Sequence, residues 1–350
     1  MKKLLLGFMA IAAMFATSCQ QEQNLTVGEA GETALVSFNL AAPQAVSRSF
    51  SDGKTAAILL YAIYDAKGEV LVNISNTDVD QTQNLIFKAD LTQNINVQLT
   101  TGNTYTAVFW AVSENALNSG IYTVDWTNKK MVVDYDAAKT LCNDETRDAF
   151  YKHIEFKVKG RMEIGVELKR PFAQINIGTN DYEDAANAGY NPQTSKVTVS
   201  DVYNTLNFAT GEVENPQTVT YDYAAIPRTE TFPVAPASST DKPFEYLAMT
   251  YALVPFSAEG KSLVTVKFSY NDPNAFVDAA NGIDERSHDR TVGSVPVQRN
   301  HRTNIYGQLL TGDITFNVVI KPEYDYNWNQ GFEYDQAGEN DPVKDQWTWN

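Results

Sequence analysis

Apolar and polar residues alternate over short stretches along most of the chain, and few stretches carry a helical period. From Glu32 to Ala42, Ala34, Val36, Phe38 and Leu40 fall on one face, with Leu35, Ser37, Asn39 and Ala41 on the other. Ala56–Tyr64 and Thr104–Val112 are continuous apolar runs, the pattern of strands buried on both faces. Glu69–Val72, Asn84–Leu91, Ile95–Leu99, Tyr122–Trp126, Lys130–Asp134 and Ile154–Val158 complete a first set of strands. Asp136–Phe150 breaks the pattern and leaves room for one or two helical turns. Met162, Ile164, Val166 and Leu168 then alternate, and Phe172–Ile177 reads as a central strand. Lys196–Val202, Thr205–Phe208, Val219–Tyr223, Thr229–Val234, Phe244–Val254, Ser262–Tyr270 and Thr291–Val297 continue the series. Pro236–Pro243 and Asp272–Asp289 are polar loops. Val295–Ile320 reads as two strands joined by Gly312-Asp313, the second alternating at first and then turning apolar through Val318, Val319 and Ile320. Short strands separated by turn signals predict β-sandwiches, and no βαβ pattern or long amphipathic helix points to a nucleotide-binding fold.

At 350 residues, two such sandwiches are the natural expectation. We place them at 32–160 and 161–322. Residues 1–18 read as an export leader. Lys2 and Lys3 form its positive end, and Leu4–Phe15 is an apolar stretch too short to remain as a spanning helix. Ala16-Thr17-Ser18 puts small residues before Cys19, which resembles a lipoprotein processing site with Cys19 as the acylated new N-terminus. The alternative is an ordinary signal peptide cleaved nearby. Residues 19–31 are polar and aperiodic and read as a tether. Pro43–Gly53 is a turn-rich linker whose one basic residue is Arg48. Residues 323–350 are acidic and aromatic, either a strand extension or a disordered tail, and end with Trp347 and Trp349.

Charge narrows the function. Asp plus Glu number 43 against 27 Lys plus Arg, and losing Lys2 and Lys3 with the leader takes the net charge from −16 to −18. Such a surface disfavours nucleic acid as a partner. Without Cys19 one thiol remains, Cys142, which cannot form an internal disulfide and reads as a buried small residue near a short helix. His153, His288 and His301 lack metal-ligand spacing. Asp272, Asn274 and Asp278 suggest a calcium loop, but Phe276 and Val277 stand where an oxygen ligand and a glycine are needed. No nucleophile elbow or phosphate loop occurs, so no enzyme activity and no cofactor are expected. Trp110 and Trp126 read as core; Trp347 and Trp349 are the candidates for ligand contact.

Three stretches carry a resemblance. Arg170-Pro171-Phe172-Ala173-Gln174-Ile175-Asn176-Ile177, Val202-Tyr203-Asn204-Thr205-Leu206-Asn207-Phe208-Ala209-Thr210-Gly211, and Arg299–Gly307 followed by Leu309-Leu310-Thr311 are similar to stretches of the Bacteroidetes fimbrillins. These are the lipoprotein subunits of strand-exchanging surface pili (type V pilins). With the leader, the resemblance covers most of the chain. It implies an all-β fold of two tandem transthyretin-like, Greek-key β-sandwich domains. It implies export to the cell outer membrane, anchoring through lipid on Cys19, and cutting between Arg48 and Ser49 by a trypsin-like surface protease. The first strand is then lost, and a C-terminal donor strand carrying Ile314, Phe316, Val318, Val319 and Ile320 fills the gap in the next subunit. Partners would be other pilin subunits and possible host or bacterial surface ligands. Stalk, anchor and tip remain open within the family. The reading from a different class is a monomeric surface lipoprotein that binds glycan or host ligand through Trp347 and Trp349.

Overall fold

The computed structural model describes residues 31–42, 53–74, 92–232, 242–256, 261–311, 315–321 and 347–348. The expected strand Asn84–Leu91 lies outside them. The first part of the chain forms β1 (Thr33–Ala41), β2 (Ile58–Tyr64), β3 (Val70–Ile74), β4 (Thr92–Thr100) and β5 (Thr104–Val112). Then come the helix α1 (Glu114–Asn118), β6 (Tyr122–Asp125), β7 (Lys130–Val133), β8 (Ala149–Lys157) and β9 (Met162–Glu167). After β10 (Phe172–Thr179) and the helix α2 (Tyr182–Asn187), the chain continues through β11 (Thr194–Asn207), β12 (Val213–Ala225), β13 (Glu245–Leu253) and β14 (Ser262–Asn271). It ends with β15 (Val277–Asp278), β16 (Ile283–Asp284), β17 (Ser287–Val297), β18 (Arg302–Gln308), β19 (Thr315–Lys321) and β20 (Trp347–Thr348).

Four principal sheets result, in the orders β4-β1-β9, β3-β2-β5-β8, β13-β10-β18-β19-β20 and β17-β14-β11-β7-β6, with β12 also on β11. The period of two along β2 and β5 explains how they stack. Leu59, Tyr61, Ile63, Ala107, Phe109 and Ala111 enter a core shared with Val36, Phe38 and Leu40 of β1. Ile58, Leu60, Ala62, Tyr64, Val108, Trp110 and Val112 enter a second core, shared with Phe172, Leu206, Phe208, Met249 and Tyr251. A third core lies between the two later sheets, around Ile175, Ile177, Val197, Val199, Val266, Phe268 and Ile305. The continuous apolar runs of β2 and β5 therefore have the physical meaning expected of them, with burial on both faces.

Among the described residues, two strand pairings cross residue 160. β9 lies parallel to β1, and β7 lies antiparallel to β11. Lys196–Val202 and Thr205–Phe208, expected as separate strands, fall mostly within the single β11, whose register shifts between Val199 and Val202 where Asp201 has φ 55°. Of the expected strand Thr229–Val234, residues 233–234 lie outside the described residues, and the rest form a bridge from Thr231 to Glu245. Its Phe232 instead drives its ring into the core. The polar loop at Asp272–Asp289 carries the small β15–β16 hairpin. Helix α1 is missed by apolar periodicity because it is five residues long; the Ser113 side chain, accepting from the Ala116 N–H, caps it.

Gly178 is a close approach between β10 and Phe232: a Cβ there would lie 2.5 Å from the Phe232 ring. Gly178→Ala should therefore destabilise the fold by about 1–3 kcal/mol through overpacking, read as a lower denaturant midpoint with unchanged slope.

Candidate functional site

β1 is an inner strand. It runs antiparallel to β4 over nine positions, from Thr33 opposite Thr100 to Ala41 opposite Thr92. It runs parallel to β9 from Val36 opposite Met162 to Ala41 opposite Glu167. Val36, Phe38 and Leu40 are 0, 0 and 2% exposed. The Phe38 ring meets Phe109 and Phe156 edge-on, with centroids 5.3 and 5.4 Å away. On the outer face the Ser37 hydroxyl donates to Asn96 Oδ1 at 2.6 Å, and Asn94 Nδ2 donates to Asn39 Oδ1. The ends are tied down as well: Thr101 N–H donates to Glu32 O at 2.7 Å, and Leu168 N–H to Ala41 O at 2.9 Å.

The geometry of this slot follows directly. Without β1, β4 and β9 would face one another across a strand-wide gap, each with a row of unpaired backbone groups. The floor of the gap would be apolar, formed by Phe109, Ile95, Val97, Leu99 and Val166. The expected cleavage residues Arg48 and Ser49, just beyond β1, lie outside the described residues, as do Cys19, Ile314 and Trp349.

The expected donor strand is β19, and the structure places it in its own sheet. It pairs antiparallel with β18 from Gln308 opposite Thr315 to Arg302 opposite Lys321. Its other neighbour, β20, meets it at two positions, Asn317 with Thr348 and Val318 with Trp347. Val318 and Ile320 are buried and Val319 is half-buried. β19 and the slot around β1 lie in different sheets, and no pairing among the described residues joins them.

Two of the stretches that carry the family resemblance are neighbouring strands of one sheet. β10 and β18 are parallel, with Gln174 beside Arg302 and Asn176 beside Asn304. Arg302 Nε donates to Gln174 Oε1 at 3.1 Å, and Asn176 Nδ2 to Asn304 Oδ1 at 2.9 Å. Just before β10, Arg170 grips Asp148 through two hydrogen bonds of 2.7 and 2.8 Å, and both side chains are buried. Burial raises the Asp148 carboxyl above its ordinary value, and Arg170 and Arg302 oppose that rise. Arg299, in the turn before β18, donates through Nη1 to Gly211 O at 2.7 Å, which joins the third such stretch to the other two.

A further residue holds the exit from β18. The buried Asp181 carboxylate accepts from Leu310 N–H at 3.0 Å and Thr311 N–H at 2.7 Å. It also accepts from the Thr311 hydroxyl at 2.8 Å and from the Thr179 hydroxyl. This clamp fixes the point from which β19 departs. Its amide partners lie far along the chain, and the sequence hint is an acidic residue two positions after a core strand.

The remaining candidates have structural roles. Cys142 is buried, and burial pushes its thiol up to about 12. Asp272 accepts from Asn191 N–H at 2.7 Å and Asn274 N–H at 2.9 Å, shaping its own loop. His301 Nδ1 lies 2.6 Å from Arg299 O, and His153 Nδ1 lies 2.8 Å from the Tyr151 hydroxyl. Trp110 and Trp126 are core residues. Among the described residues, no group of three or more His, Cys, Asp or Glu is arranged to hold a metal ion.

A family model described as "Family of unknown function (DUF6562)" matches residues 27–344. No curated protein matches the chain. Among solved structures, the chain is similar to a fimbrial assembly protein from Parabacteroides distasonis, at 13% identity and TM-score 0.39, covering 82% of this chain and 96% of that one. It is also similar to the tip fimbrial protein Mfa3 of Porphyromonas gingivalis, at 12% identity and TM-score 0.42, covering 82% of this chain and 99% of that one. Superpositions this loose carry no weight for function.

Asp181→Ala removes the acceptor from the Leu310 and Thr311 amides. The expected outcome is a loss of about 2–3 kcal/mol in unfolding free energy, with faster hydrogen exchange confined first to Leu309–Thr311. Cys142 should resist iodoacetamide at pH 8 in the folded protein and react once denaturant is added; rapid labelling under native conditions would contradict its buried placement.

Proposed function

The chain belongs to the DUF6562 family, and we propose that it is a structural subunit of a cell-surface fimbria assembled by strand exchange. In this reading the chain is exported, acylated at Cys19 and held at the outer membrane. A trypsin-like surface protease cuts between Arg48 and Ser49. Residues up to Arg48, β1 among them, are then no longer covalently joined to the body, and a strand from another subunit takes the vacated slot.

The observation that carries the proposal is the placement of β1. It is the first described strand, yet it lies inside its sheet with three side chains in the core. Only the linker holding Arg48 connects it to β2. A single cut there turns an integral core strand into a replaceable one. The vacated gap offers main-chain hydrogen bonds on both sides and alternating side-chain pockets on its floor, which is the chemistry of strand addition. β9, which follows residue 160, supplies one wall of the slot. The resemblance of the β10, β11 and β18 stretches to fimbrillins supports the same reading, and no catalytic step is involved.

One observation favours a second reading. In the intact chain β1 fills its slot and β19 is paired within its own sheet, so the uncut subunit is complete by itself. A subunit that escapes cutting would serve as the lipid-held anchor of a fimbria, or as a monomeric ligand-binding lipoprotein.

The mature N-terminus decides between them. Protein recovered from the cell surface and mapped by intact mass should begin at Ser49 and run as a ladder of polymers. Arg48→Ala should abolish both. An acylated Cys19 start with the Arg48–Ser49 bond intact would remove the polymer reading and leave the anchor or monomer.

A further inference from the structure

The turn between β6 and β7 holds a side chain in a backbone conformation that disfavours it. Lys129 has φ 54°, in the left-handed region where glycine or asparagine is usual. The turn is fixed from two sides. The Asp125 carboxylate accepts from the Asn128 N–H at 2.9 Å, and the Lys129 carbonyl accepts from the Phe208 N–H at 2.7 Å. The Lys129 ammonium then stands 5.0 Å from the Tyr64 ring centroid, with no carboxylate partner among the described residues. Gly68 leaves room for it, since a Cβ there would collide with the ammonium. Backbone strain of this kind clusters at ligand sites, which directs attention to what the charge faces.

It faces a cleft of about 310 Å3 at the end of the core that β2 and β5 share with β7 and β11. The floor is a row across three strands: Tyr64 of β2 pairs with Thr106 of β5, and Thr106 pairs with Glu155 of β8. Thr104 lies two residues along on the same face, and Val108 closes the inner end. The turn between β2 and β3 puts Lys67 at the lip. Asp65 Oδ1 is engaged by that turn, accepting from the Lys67 and Glu69 N–H groups, both at 2.9 Å. By contrast, the Lys67 ammonium, the Glu155 carboxylate and the Thr104 and Thr106 hydroxyls make no hydrogen bond or ion pair among the described residues. A second cleft of about 360 Å3 adjoins the first across Lys67 and Tyr105 and reaches Leu71, Thr100 and Asn103.

These groups define a ligand. Two ammoniums call for an anion, while a free carboxylate and two free hydroxyls suit a molecule that carries hydroxyl groups of its own. Neighbouring strands lie about 4.8 Å apart, so the Tyr64 and Glu155 backbones are about 10 Å apart, the span of one sugar ring with its substituents. The cleft volume is at the small end of ligand pockets, and the adjoining cleft has space for a second ring. We propose that this cleft binds an acidic sugar residue, with its carboxylate on Lys129 and Lys67 and its hydroxyls on Thr106 and Glu155. Uronate and sialate units share this chemistry. The net charge of the chain is −16, so attraction for an anion has to come from these two lysines locally, and binding weakens as salt rises. The site requires neither cutting at Arg48 nor exchange of β1.

The test titrates the full chain with methyl glucuronide, methyl sialoside, neutral methyl glucoside and acetate, and follows backbone amide resonances. The proposal expects saturable shifts at Lys67, Gly68, Thr106 and Lys129 with an acidic sugar, and affinity on the order of tenfold weaker for the neutral glucoside and for acetate. Preference for the glucuronide identifies uronate chains as the source, and preference for the sialoside identifies sialylated chains; either supports the site. Lys129→Gln should weaken binding on the order of tenfold. Lys129→Gly should do the same while keeping or raising the thermal midpoint, because glycine relaxes the left-handed position. A lysine that served folding alone would lower the midpoint in that variant and leave binding unchanged. Equal affinity for the neutral glucoside, acetate binding as tight as the acidic sugars, or no shift with either acidic sugar would each overturn the proposal.

Discussion

Phe109 and Trp110 are adjacent in β5, yet they belong to different cores. Phe109 packs against Phe38 in the slot of β1, while Trp110 meets Tyr122, Phe172 and Phe208 on the far side of the sheet. A sheet with both faces apolar cannot stand at a surface, so β2-β5-β8 has to be covered twice. One cover is the three-stranded sheet with β1 at its centre; the other comes from the later strands. The stability of the first half of the chain therefore depends on something filling the position of β1, whichever strand it is. Phe38 shows the scale: emptying its pocket removes contacts of a size that costs about 3–5 kcal/mol when a buried Phe becomes Ala.

The second cover is organised around polar groups that are costly to bury. The Arg170–Asp148 pair is almost fully buried, and such pairs repay their desolvation only with good geometry and full hydrogen bonding. Here the geometry is bidentate, and the Arg170 guanidinium also lies 4.5 Å from the Phe150 ring centroid. Asn300 Oδ1 accepts from the Arg170 N–H at 3.1 Å, so the same node joins the starts of β8, β10 and β18. A polar seam of this kind fixes which strands lie side by side, because a shifted β18 would strand Arg302 and Asn304 away from Gln174 and Asn176.

Much of this architecture is legible in the chain itself, where period and burial agree. The alternation of β1 and the apolar runs of β2 and β5 read correctly because each residue's face follows from its neighbours. The pairing of β9 with β1, across a candidate domain boundary at residue 160, does not, since a strand's own pattern says nothing about which edge it joins. Asp181 and Asp148 were invisible for a related reason: a buried carboxylate looks like a loop residue until its partners, remote in sequence, are placed beside it. Lys196–Val202 and Thr205–Phe208 read as two strands because their local patterns are separate, whereas the single β11 passes through a bulge at Asp201 and runs on to Asn207. The short helices α1 and α2, of five and six residues, are too brief for any period to emerge.

The two walls of the β1 slot run in opposite directions. β4 is antiparallel to its guest and β9 is parallel to it, and the hydrogen-bond ladders of those two arrangements are differently spaced. A guest that entered backwards would meet the wrong ladder on both sides at once. The slot is thus a directional socket. Under the proposed strand exchange, units joined through it would share one orientation, and the contact between them would be head-to-tail, with no twofold axis to close it off. Such a chain of units would have two unlike ends, one with an empty socket and one with an unused arm.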